Sequence, residues 1–160
     1  AILNQVTSEG NLHHGVDFWD GANGEISKSQ FLANGRAGVT AIGSTEVIKI
    51  EESRCEGNRE IGFFFSHVLG VELNECDAHK NQLGGIIFEH GSKGVKVTNS
   101  RVSRNGKAGI VFEKGVEILA NESNKVEKND GHQVWSEAVF VPRTGDDTIT
   151  PPPPAAPGED

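Results

Sequence analysis

Asn11, Asn34, Asn58, Asn81, Asn105 and Asn129 recur at intervals of 23, 24, 23, 24 and 24 residues. Few folds satisfy such a spacing. Four residues after each of the first five asparagines stands a glycine: Gly15, Gly38, Gly62, Gly85 and Gly109. A short apolar segment follows each glycine (GVDFW, GVTAI, GFFFS, GIIFE, GIVFE), and a second one (VIKI, GVEL, GVKV, GVEIL) comes after a few turn residues. Three residues before the later asparagines lie Phe31, Cys55, Ala78, Val102 and Val126. Several columns in one register mark a repeat architecture. Three short strands per repeat, separated by turns and without helical periodicity, describe one coil of a parallel β-solenoid of about six coils. A single coil cannot bury its own apolar face, so neighbouring coils must stack at ~4.8 Å around a shared core.

In this frame the asparagine column is structural. Stacked amide side chains can hydrogen-bond from coil to coil, and Asn tolerates the left-handed backbone of a sharp turn. The glycine that follows is expected to return the chain to the next strand without steric cost. Composition agrees with short strands and many turns: the 160 residues include 20 glycines, with 6% aromatic residues and no Tyr or Met. That length suits one domain. A net charge of −8 argues against nucleic acid or an anionic membrane as partner. No apolar run approaches the ~20 residues of a membrane span. The absence of a signal-like segment and of an initiator Met suggests a mature protein or an excised piece, and leaves the compartment open. Cys55 and Cys76 fall one coil and two residues apart, a separation of roughly 8 Å from strand spacings. That exceeds the ~7 Å limit for a disulfide, so both are expected to be small core residues.

The ends differ from the middle. Residues 1–11 align with the back half of a coil such as IKIEESRCEGN, so the sequence starts in mid-coil. This fits either the later part of a longer solenoid or an open end used for stacking or for a partner. The β-helix is expected over 1–138. In 139–160, AVFVP is expected to form a last strand or to lie back over the solenoid, and RTGDDTITPPPPAAPGED to be a disordered, Pro-rich acidic tail.

The segments NGKAGIVFEKG, NQLGGIIFEHG and SRVSRNGKAG resemble the parallel β-helix repeats of the pectate-lyase-like superfamily, over roughly residues 11–136. That superfamily holds polysaccharide lyases, glycoside hydrolases, uronate epimerases and non-enzymatic relatives. The resemblance implies an all-β, right-handed parallel β-helix, and a location outside the cell or at its surface. It also implies a carbohydrate-polymer module that binds or modifies an extended, uronate-type glycan along one strand face. On that reading Asp20, His67, His90 and Lys114, each five residues after its glycine, are the candidate catalytic column. Asp17, Trp19, Glu89 and Glu113 are candidate substrate contacts. HHGVDFWDG echoes the glycine-strand-acid pattern of uronate epimerases without their Asp-Pro-His core. The paired-Asp motifs of polygalacturonases and the calcium-binding carboxylates of pectate lyases are missing. His67, His90 and Glu89 do not complete a metal-ligand set, so neither metal nor other cofactor is expected.

Counting from each glycine fixes which side chains face inward. Val16 and Phe18, Val39 and Ala41, Phe63 and Phe65, Ile86 and Phe88, and Ile110 and Phe112 point to the core. Asp17, Thr40, Phe64, Ile87 and Val111 point out. Phe64, Ile87 and Val111 therefore form an apolar stripe along three coils, which marks a contact. The AVFV segment, a second subunit in a homo-oligomer or a further domain are the candidate covers. The stripe supports a second reading of the chain, as a non-catalytic structural or self-assembly module.

Overall fold

The computed structural model describes residues 1–44 and 46–141, all of them in strands, bridging turns and bends. The expected disordered tail lies outside these residues. Three parallel sheets run the length of the molecule. The first contains β1 (Ile2–Asn4), β4 (Gly24–Ser27), β7 (Ile48–Glu51), β10 (Val71–Asn74), β13 (Val95–Thr98), β16 (Glu117–Glu122) and β19 (Val139–Phe140). The second contains β2 (Thr7–Glu9), β5 (Gln30–Leu32), β8 (Arg54–Glu56), β11 (Asp77–His79), β14 (Arg101–Ser103) and β17 (Lys125–Glu127). The third contains β3 (Val16–Trp19), β6 (Val39–Ile42), β9 (Ile61–Ser66), β12 (Gly84–Phe88), β15 (Ala108–Phe112) and β18 (His132–Ser136). Each coil contributes one strand to each sheet, and each strand pairs with its equivalents in the coils before and after. The result is a six-coil β-solenoid, without helix among the described residues.

The inward positions behave as the alternation requires. Phe63, Phe65, Ile86, Phe88, Ile110 and Phe112 are all fully buried. Phe65, Phe88 and Phe112 stack as a column, with ring centroids 5.1 and 5.3 Å apart and planes within 15° and 3°. Burial of side chains this size contributes about 1.5–3 kcal/mol each, so the shared column outweighs what any one coil could supply.

The asparagine column forms a continuous ladder. Asn34, Asn58, Asn81 and Asn105 each donate from Nδ2 to Oδ1 of the next asparagine at 2.8–3.0 Å. Each of these Oδ1 atoms also accepts the backbone N–H of the preceding asparagine. The Nδ2 groups make a further bond to backbone carbonyls such as that of Cys55, 3.1 Å from Asn81. At the last rung Gln133 takes over: its Oε1 accepts from Asn129 Nδ2 at 2.9 Å and its Nε2 donates to the Asn129 carbonyl.

Two details of the turn differ from the expectation. The left-handed residue is not the asparagine but its predecessor: Gly10, Ala33, Gly57, Lys80, Arg104 and Lys128 carry φ between 50° and 68°. The asparagines keep ordinary backbone angles because their task is the amide ladder. The glycine column does not serve a positive φ either, for none of Gly15, Gly38, Gly62, Gly85 and Gly109 has one. These glycines exist for close approach. A Cβ on Gly62 would sit 2.6 Å from the Gly85 carbonyl oxygen and 2.8 Å from Asn81 Nδ2.

Both cysteines are free and buried. Cys76 occupies a column with Ser29, Ser53 and Ser100, where hydroxyls accept backbone N–H groups of the preceding coil: Val6 to Ser29, Ser29 to Ser53 and Cys76 to Ser100, each at 3.1 Å. Burial pushes the Cys76 thiol up to about 12 from an ordinary 9.0. Burial, and then the nearby Cys76, raises Cys55 as well. The folded state therefore holds these protons after the unfolded chain has released them. Stability is intact below pH 9 and falls as pH rises toward 12, by about 1.4 kcal/mol per pH unit per thiol. Urea unfolding between pH 8 and 10 is expected to show a steeper alkaline loss for the parent than for Cys76→Ser, whose hydroxyl suits that column.

Candidate functional site

A groove forms on the outer face of the third sheet, across coils one to three. In-register pairing stacks Asp17, Thr40 and Phe64 in one column and Trp19, Ile42 and Ser66 in the next. Strand alternation aims both columns outward. Thr40 and Ile42 are short, while Trp19 in the coil before and Phe64 in the coil after are tall. The difference in size opens a cavity of about 340 Å³ with His14, Arg36 and Glu60 from the preceding turns along one side. Ligand pockets typically measure about 300–1,000 Å³, which leaves room here for a short segment of ligand.

The groove is chemically prepared. Trp19 is 61% exposed, an uncommon state for the largest apolar side chain. Thr40 is 1% exposed, and its Oγ1 finds no hydrogen-bond partner among the described residues. That hydroxyl is covered by its neighbours, so Thr40 shapes the groove floor by its small size. Arg36, Asp17 and Glu60 form no ion pair among the described residues, in contrast to the paired charges of the second sheet such as Arg54 with Glu56. His14 accepts the Ala37 N–H at Nδ1, 3.3 Å away, so its neutral ring carries the proton on Nε2.

The candidate catalytic column lies elsewhere. Asp20, His67, His90 and Lys114 all sit at the exposed turn beyond the third sheet, and none lines the groove. His67 and His90 touch edge to face at 5.2 Å between ring centroids. His67 Nδ1 is 2.9 Å from Ser66 Oγ, and His90 Nδ1 is 3.5 Å from Glu113 Oε2. Gly43 occupies the intervening coil and keeps Asp20 two coil rises from His67, about 10 Å. Lys114 makes no ion pair among the described residues. Of the candidate substrate contacts, Asp17 and Trp19 line the groove. Glu89 and Glu113 fall on the same face in coils four and five, outside it.

Phe64 is a groove wall as well as the first member of the apolar stripe. Ile87 and Val111 continue that stripe, and register adds a fourth member, Trp135, opposite Val111. All four are half-buried. The AVFV segment does not cover them. Val139 and Phe140 pair with Glu117 and Ile118 in the first sheet, because β19 simply continues the winding.

Residues 1–140 match the family model of the right-handed β-helix region, and the chain belongs to that family. No curated protein and no solved structure matches the chain.

Proposed function

We propose that the protein binds a short stretch of an extended glycan in the Trp19–Phe64 groove. The observation that carries this reading is the meeting, in one cavity, of an exposed indole with charges that form no ion pair among the described residues. A sugar ring presents an apolar C–H face and a rim of hydroxyls. Trp19 and Phe64 suit the first, while Asp17, Glu60 and His14 suit the second. Arg36 adds a cation for a uronate carboxylate. The reading is of binding without bond cleavage, because Asp20, His67, His90 and Lys114 all lie outside the cavity.

The test uses Trp135→Phe as parent, leaving Trp19 as the sole indole. Titration with neutral and uronate oligosaccharides is expected to change Trp19 fluorescence saturably, and Trp19→Ala, followed by calorimetry, to weaken binding at least about tenfold, or 1.4 kcal/mol. Binding that is indifferent to Trp19→Ala, or a flat titration across the panel, overturns the reading. Release of new reducing or unsaturated ends would overturn the restriction to binding.

A further inference from the structure

Charges on the first sheet alternate from coil to coil, whereas on the second Arg101 and Lys125 are neighbours in register and share Glu127. Glu25, Lys49, Glu72 and Lys96 follow one another along the first sheet, with Lys96 Nζ 2.6 Å from Glu72 Oε1. On the second sheet Arg54 approaches Asp77 at 3.9 Å. The third sheet carries a longer run of one sign on coils four to six. Glu89, Glu113 and Glu137 occupy equivalent positions at its downstream edge, each donating its backbone N–H to the coil before. Coils rise by ~4.8 Å, so three carboxylates stack at that spacing. Their near cations are His90, 3.5 Å from Glu113, and Lys114 at the adjacent turn. The turns between the second and third sheets carry, on the same three coils, Lys80, Arg104 and Lys128, the left-handed residues that follow the second-sheet strands, and Lys107, which directly precedes β15. Asp130 is the one acid in those turn positions, and among the described residues only Lys80 has an ion pair there, with Glu56 at 3.8 Å. Between the two rows run Ile87, Val111 and Trp135.

Like charges stacked from coil to coil are unfavourable, and here an acidic row on the third sheet and a basic row on the turns leading into it flank an apolar strip. We propose that a second copy of this chain packs on this face about a two-fold axis parallel to the solenoid axis. That operation keeps each coil opposite its own equivalent and exchanges the two rows. Glu89 then meets Lys80 of the other copy, Glu113 meets Arg104 and Glu137 meets Lys128, with the apolar strips in the middle. A two-fold axis along the strands would instead lay acid on acid and base on base. The charge pattern therefore selects one operator as well as one partner. The tail sequence, with Arg143 against Asp146, Asp147, Glu159 and Asp160, complements only the basic row, whereas a second copy complements both. An aromatic centre with a charged rim is the usual anatomy of such interfaces. The inference does not rest on the glycan reading; the same axis turns the two grooves toward one shared space.

The test is sedimentation equilibrium of the full chain over a concentration series at low and high salt. A monomer–dimer equilibrium is expected, weakened by salt because its rim is ionic. Glu113→Arg alone and Arg104→Glu alone are each expected to weaken the dimer about tenfold, and the double reversal to restore it to within about threefold of the parent. Circular dichroism melts confirm that these exposed substitutions leave the fold intact; Val111→Asp provides a second disruption through the apolar strip. A monomer at all concentrations, or a double reversal as weak as the single ones, overturns the proposal. Dimerisation that emerges only after removal of residues 142–160 assigns the face to the tail and overturns it equally.

Discussion

Asn81→Ala is expected to lower the unfolding free energy by about 4 kcal/mol, read from urea denaturation monitored by circular dichroism. The substitution removes more than one bond. Asn58 loses the acceptor of both its backbone N–H, at 3.1 Å, and its Nδ2, at 2.9 Å. The Cys55 carbonyl loses its 3.1 Å donor. All of these groups are buried, so water cannot replace the missing partner, and each orphaned group costs about 1–3 kcal/mol. Asn11→Ala supplies the contrast. Asn11 is exposed at the first rung, where solvent takes over its bonds, and its loss is expected to stay below about 1 kcal/mol. Equal effects at the two positions would mean that the ladder is not what holds the turn.

Gly62→Ala is expected to be nearly as damaging, at about 3 kcal/mol. The added methyl meets the Gly85 carbonyl oxygen at 2.6 Å and Asn81 Nδ2 at 2.8 Å. A backbone carbonyl held in a parallel sheet cannot step aside without breaking its own pairing, and the Asn81 amide cannot move without breaking the ladder. Gly57 separates this cause from backbone freedom. It has φ of 67°, a methyl added there would meet nothing within 4 Å, and Ala33 already occupies the equivalent position in the coil before. Gly57→Ala is therefore expected to cost only about 1 kcal/mol, the strain of a left-handed alanine. A thermal-melt series that ranks the two substitutions the other way round would contradict the close-approach explanation.

The sequence disclosed the solenoid because a coil is a periodic object: one interval, repeated, places every strand, and a glycine-anchored count assigns each side chain to a face. It was less informative about the turn. Ala33, Lys80, Arg104 and Lys128 adopt left-handed angles without belonging to the residue types that announce them. Trp135 escaped the count because its coil has Gln133 where a glycine would anchor it. Counting six residues from Asn129, as Val111 lies six from Asn105, reaches it. The groove was hidden for another reason. Its depth comes from the contrast between Thr40 and Ile42 and their tall neighbours Trp19 and Phe64, one coil away on either side. Asp17 and Trp19 were legible as candidates from the resemblance alone, whereas Arg36 and Glu60 belong to a turn column, with His13, Leu83 and Lys107, in which the residue type changes at every coil.

Backbone hydrogen bonds between parallel strands run both up and down the stack, but the amides of the ladder all point one way, Nδ2 of each coil toward Oδ1 of the next. The molecule thus has a head and a tail in an electrical as well as a chemical sense, and each bond polarises the one behind it. A seventh asparagine coil added beyond Asn129 would need Asn129 Nδ2 as donor. Gln133 already occupies that group and turns its own amide back on the Asn129 carbonyl, so no donor points onward. One glutamine, standing where the earlier coils keep a glycine, acts as the terminator of a chain that could otherwise have propagated by templating.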